Sequence, residues 1–134
     1  MRGSILLSKN DDIPQFPILR GESVSESGEF SGTARLVCTR EDLNREWAAD
    51  DIAVLELDLE SFFEENPKAL ADLFNTVRVV IAEFGESLGN FATTATEHTA
   101  IGVVGVIDAT HVLEDGMHIR LEATENQCDI FFID

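Results

Sequence analysis

The residues best placed to do chemistry in this chain fall in one short stretch, Gly85-Glu86-Ser87-Leu88-Gly89-Asn90. Two glycines let the backbone turn tightly, and a segment with helical spacing follows from Asn90 to His98. A helix start offers unpaired N–H groups and the positive end of the dipole, so it attracts anions. Gly85, Ser87, Gly89 and Asn90 together are therefore a candidate small-anion site, with the Glu86 carboxylate opposing it by like-charge repulsion. Asn90 also has a plainer use, because Asn is among the best helix N-caps. His98 lies eight positions further on, which is on the order of 12 Å along a helix and away from its positive end. His111 and His118 flank the Asp115-Gly116 turn with no neighbouring residues that complete a metal-ligand pattern. No Ser-His-Asp or Cys-His arrangement and no nucleotide-binding glycine loop is legible, so neither a metal nor a cofactor is expected.

The elements that must position this stretch can be read on either side of it. Val77, Val79, Val80 and Ile81 form a β-branched apolar run, as do Ile101 to Val106, and both read as buried strands. Strand, glycine turn, helix, strand is a βαβ unit, and such units place their chemistry at the turn after the first strand. Upstream, Ile18–Val24 and Glu29–Cys38 read as strands around a Ser25–Gly28 turn, and Ile52–Leu57 as a third. Thr39 is a plausible N-cap for a short helix reaching Trp47. Asp58–Pro67 reads as a helical turn, and Pro67 suits the first position of a helix running from Lys68 to Asn75. Met117–Ala123 and Cys128–Ile133 are expected strands. The sum is an α/β domain: a mixed sheet with a small parallel βαβ core plus antiparallel hairpin strands. An irregular lead-in over 1–17 and a single domain over 18–134 are expected.

Composition restricts the partners. The chain has 134 residues, 26 Asp and Glu against 9 Lys and Arg, and a net charge of −17. Such a surface repels nucleic acid and anionic membranes. Acid pairs such as Asp11-Asp12, Asp50-Asp51 and Glu64-Glu65 are ordinary in so acidic a chain and read as solvated faces. No stretch approaches a membrane span, so a cytoplasmic protein is expected. Cys38 and Cys128 read as two reduced, partly buried thiols. With only Lys9 and Lys68 as lysines, the composition resembles that of salt-accumulating archaeal proteins. Molar salt, with a Debye length of about 3 Å, would screen the self-repulsion.

With the elements placed, the chain from about Leu19 to Ile133 resembles the mobile, swivelling phosphohistidine domain of phosphoenolpyruvate-utilising enzymes. Gly21 to Gly28 followed by Ser31-Gly32-Thr33-Ala34-Arg35 is similar to the opening hairpin of that family. Asp50-Asp51-Ile52-Ala53-Val54-Leu55 is similar to its next strand. Gly102 to Gly116, through Val103-Val104-Gly105-Val106 and Ala109-Thr110, follows its closing motif closely. The resemblance implies a β/β/α swivelling fold and, in the family, a histidine at a helix start that carries phosphate between two active sites. Aligned without gaps, that histidine position is Asn90, and the second glycine of the family's pair is Glu86. An amide nitrogen is a poor phosphoryl acceptor because its lone pair is delocalised into the carbonyl. The expected function is thus a non-catalytic protein-interaction or regulatory module, with another protein as partner. Two alternatives stand beside it: a phosphotransfer subunit using His98, and a small-anion sensor at Ser87 and Asn90.

Overall fold

Successive side chains along a strand point to opposite faces, so the unbroken apolar runs Ile52 to Leu55 and Val79 to Ala82 let one sheet bury both of its faces. The computed structural model describes residues 16–85 and 89–133. In it β1 (Leu19–Ser25), β2 (Gly28–Val37) and β3 (Asp51–Leu55) are followed by α1 (Glu60–Glu65) and α2 (Pro67–Thr76). Then come β4 (Val79–Ala82), α3 (Asn90–Glu97), β5 (Ile101–Val104), α4 (Ala109–Val112), β6 (His118–Ala123) and β7 (Gln127–Phe132). Single 3-10 turns occupy Arg40–Asn44, in place of a helix reaching Trp47, and Leu57–Leu59. Pro67 opens α2, whose Leu70, Leu73 and Phe74 are buried on one face.

The expected β/β/α swivelling fold, a mixed sheet with a small parallel βαβ core plus antiparallel hairpin strands, is not what forms. The seven strands close into a barrel in the order β1-β5-β4-β3-β2-β6-β7, with β1 also pairing β7. β2, β3, β4 and β5 run parallel to one another, with Ile52 opposite Val79 and Ile81 opposite Val103. The remaining pairs are antiparallel: Ser23 faces Val103 on one side of the closure, and Leu19 faces Ile130 on the other. Alternation along a strand is the same in an open sheet and in a barrel. Closure is decided by the two partners of β1, which lie far from it in sequence, and it leaves no strand edge exposed to pair with another chain.

The two faces make two cores. Ile52, Val54, Val79, Ile81, Val103, Ile119, Leu121 and Ile130 fill the barrel, each fully out of contact with solvent. Ala53, Leu55, Val80 and Ala82 point outward against Phe63, Leu73, Phe74 and Phe91 of the helices. Burial on this scale is the main term holding the helices to the sheet. Close docking of α3 needs a bare patch on β5. A Cβ at Gly102 would lie 2.9 Å from both Phe91 Cε1 and Val24 Cγ2, and 3.1 Å from Ala95 Cβ.

Polar ties pin the loops outside. The buried Asp51 accepts from Arg35 Nε at 3.2 Å and from the Ala48 N–H at 2.8 Å. Asp115 accepts from the Leu36 N–H at 2.9 Å and from Arg45 at 3.0 Å. Burial works to raise the Asp115 pKa, but those bonds and the Arg45 and Arg35 charges outweigh it and hold the carboxyl below its ordinary value. Among the described residues no helix is long and apolar enough to cross a membrane.

Candidate functional site: a cleft at the start of α3

β4 ends at Ala82, and the chain continues through Glu83 and Phe84 to Gly85, which adopts φ +97. That left-handed conformation suits glycine, so the chain can leave the sheet sharply here. Gly89 then caps α3 with extended backbone, φ −89 and ψ −176, and Asn90 is its first helical residue. The proposed N-cap role of Asn90 therefore falls to Gly89, one position earlier. Glycine is also a favoured cap, and no side chain bonds the cap position. Asn90 is exposed, and its carbonyl accepts from Thr94 Oγ1 at 2.8 Å.

Gly85, Gly89 and Asn90 come together on one wall of a cleft of about 400 Å³. The buried Phe63, Leu70, Phe84 and Phe91 also line it, as do Glu60 and Glu64 of α1. Ser87 and Glu86 lie outside the described residues. The cleft sits at the carboxyl ends of the parallel strands, where α/β folds commonly bind ligands. Glu60 and Glu64 were not singled out as site residues from sequence. Their spacing, i and i+4 beside the Phe62-Phe63 pair, is the signal that both face the same way.

The histidines are elsewhere. His98 is the C-cap of α3, at the end opposite the cleft. Its Nδ1 is 2.9 Å from the Thr94 carbonyl, and its ring stacks on Phe74 with centroids 6.2 Å apart. Because a carbonyl only accepts, the proton is assigned to Nδ1 and the lone pair to Nε2. His98 lines a separate polar hollow with Arg78. His111 lies in the last turn of α4, and His118 begins β6. No group of His, Cys, Asp and Glu among the described residues is arranged to hold a metal ion.

Glu83 is the buried acid that sequence reasoning passed over. Its carboxylate accepts from the Leu57 N–H at 2.8 Å, the Thr110 N–H at 2.8 Å and Thr110 Oγ1 at 2.7 Å. Burial alone would push its pKa up. The Thr110 and Leu57 hydrogen bonds, with the nearby His111, more than offset that and hold it below the ordinary value. Glu83 thereby ties the ends of β3 and β4 to the start of α4. The two thiols are shifted in the opposite direction. Burial and the Glu56 charge push Cys38 up to about 11, and burial and Asp129 push Cys128 up to about 12. Both cysteines are free.

No family model matches the chain. It is 31% identical over 123 residues to the rifampicin phosphotransferase of Bacillus subtilis strain 168, covering 92% of this chain and 13% of that protein. The rifampicin phosphotransferases of Bacillus cereus and of a Streptomyces species are each 30% identical over 122 residues. The chain thus spans about 13% of the length of these curated relatives. Among solved structures, the aconitase X of Thermococcus kodakaraensis in its holo-form superposes with a TM-score of 0.57 at 20% identity. That match covers 84% of this chain and 97% of the other, and at such identity it speaks for the fold alone. The class is therefore a closed seven-stranded mixed barrel with helices packed on its parallel side. Within that class, the chain is distantly similar to one segment of a phosphotransferase.

Proposed function

We propose that this chain is a catalytically silent relative of the phosphohistidine domain of phosphoenolpyruvate-utilising enzymes, and that it works by docking on another protein. The observation that supports this is Asn90, which stands at the helix start in place of an imidazole. Its amide has no nucleophilic lone pair to receive a phosphoryl group. The Glu60 and Glu64 carboxylates across the cleft would repel such a group as it approached. The same two charges weigh against a small-anion sensor at Ser87 and Asn90. Free thiols suit a reducing compartment, and the cytoplasm is the proposed location.

One observation favours a second reading. The His98 Nε2 lone pair faces away from its Thr94 bond, and His98 shares a hollow with Arg78, a cation able to balance phosphate. A phosphotransfer subunit using His98 would need these features. Incubation with phosphoenolpyruvate, or with ATP and a partner kinase, followed by intact mass measurement at neutral pH, separates the two. An unchanged mass is expected. A phosphoryl adduct lost on His98→Ala overturns the docking reading.

A further inference from the structure

We propose that the barrel end where β3, β4 and β5 finish docks a protein segment that carries arginine or lysine beside apolar side chains. This rests on the docking reading above and gives the partner a chemistry. The 3-10 turn at Leu57–Leu59 leads directly into α1, so Leu57, Glu60 and Glu64, at i, i+3 and i+7, form a single stripe. Leu57 is 54% exposed, and Ile107, in the loop after β5, is 75% exposed. Glu83 keeps both at this end, because its carboxylate takes the N–H groups of Leu57 and of Thr110, three residues past Ile107. The two glutamates of this stripe line the cleft together with Phe63, Phe84 and Phe91.

Charge selects the occupant. Among the described residues neither Glu60 nor Glu64 has a basic partner. The start of α3 offers about half a positive charge, against two carboxylates among the described residues that line the cleft. Among those residues the balance favours cations. Local structure points the same way. Glu64 lies in the last turn of α1, one turn from Glu60, so it opposes both the helix dipole and a like charge. An incoming guanidinium or ammonium relieves both. A purely apolar partner would instead strip water from two unpaired carboxylates. Arginine and lysine answer both surfaces, since their aliphatic stems lie on apolar groups while their heads reach carboxylates.

The probe is a capped peptide of alternating leucine and arginine, titrated into the full chain and followed by backbone amide shifts. Shifts are expected at residues 57–64, 84–85 and 107. Replacing arginine by uncharged citrulline is expected to weaken binding roughly fivefold, the scale of a rim ion pair. The double variant Glu60→Gln, Glu64→Gln is expected to weaken it similarly while melting no lower than the parent. A control pair at the opposite end, Glu26→Gln with Glu125→Gln, removes the same charge and is expected to leave binding unchanged. Equal weakening by both pairs, shifts mapping elsewhere, or no binding each overturn the proposal. Those outcomes leave the docking reading standing, whereas a phosphoryl adduct on His98 removes the reading beneath it.

Discussion

Glu83→Gln tests how the end of the barrel is held together. Glu83 is 9% exposed, and its carboxylate receives three hydrogen bonds, two from Thr110 and one from the Leu57 N–H. A glutamine can keep one oxygen toward Thr110, but it then presents its own N–H₂ to the Leu57 N–H. At least one charge-assisted bond is lost and the others weaken, a cost of roughly 2–4 kcal/mol when each such bond is worth about 1.5–3 kcal/mol. Against a typical domain stability of about 5–15 kcal/mol, that is a large change. Urea unfolding followed by circular dichroism, at fixed salt and pH 7, measures it. The pH dependence supplies the sign. Since the folded pKa lies below the ordinary 4.5, the stabilisation is complete above that value and is lost as pH falls through the folded pKa. The gap between parent and variant should therefore narrow on acidification below about pH 4.5, while the titration of every other acid is common to both proteins. A gap under about 0.5 kcal/mol at pH 7, the size of an ordinary surface substitution, or a gap independent of pH, would refute the account.

Gly102→Ala places a methyl against Phe91, Val24 and Ala95, and overpacking of this kind costs about 1–3 kcal/mol. A fall in urea midpoint, with altered amide shifts along α3, is the expected result. Native alkylation should find both thiols nearly silent at pH 7.5, Cys128 more so than Cys38, with full reaction only after unfolding. Rapid labelling of Cys128 in native protein would contradict its complete burial.

The strands, α2 and α3 are legible because each announces itself locally, whereas the helix expected up to Trp47 is a 3-10 turn and α4 carries too short a pattern to be read. The run Val79-Val80-Ile81 and the Pro67 helix start match their observed positions to within a residue or two. The glycine turn could likewise be placed at the end of β4, since Gly85 does take a positive φ. Asn90 at the helix start was equally visible, although the cap itself is Gly89.

What the sequence determined alone was the strands and the two longer helices, the acidity, and Asn90 as the residue at the start of α3. Each follows from residue type at a given position. Tertiary structure decided the rest. Barrel closure depends on β1 meeting both β5 and β7, and no periodicity within β1 encodes its partners. The cleft's character was hidden for the same reason. Glu60 and Glu64 precede Asn90 by more than twenty residues, and only the packing of α1 and α3 on one sheet face brings them to the same cleft as the helix start. Glu83 looked like one acid among 26 until folding placed the N–H groups of Leu57 and Thr110 around it.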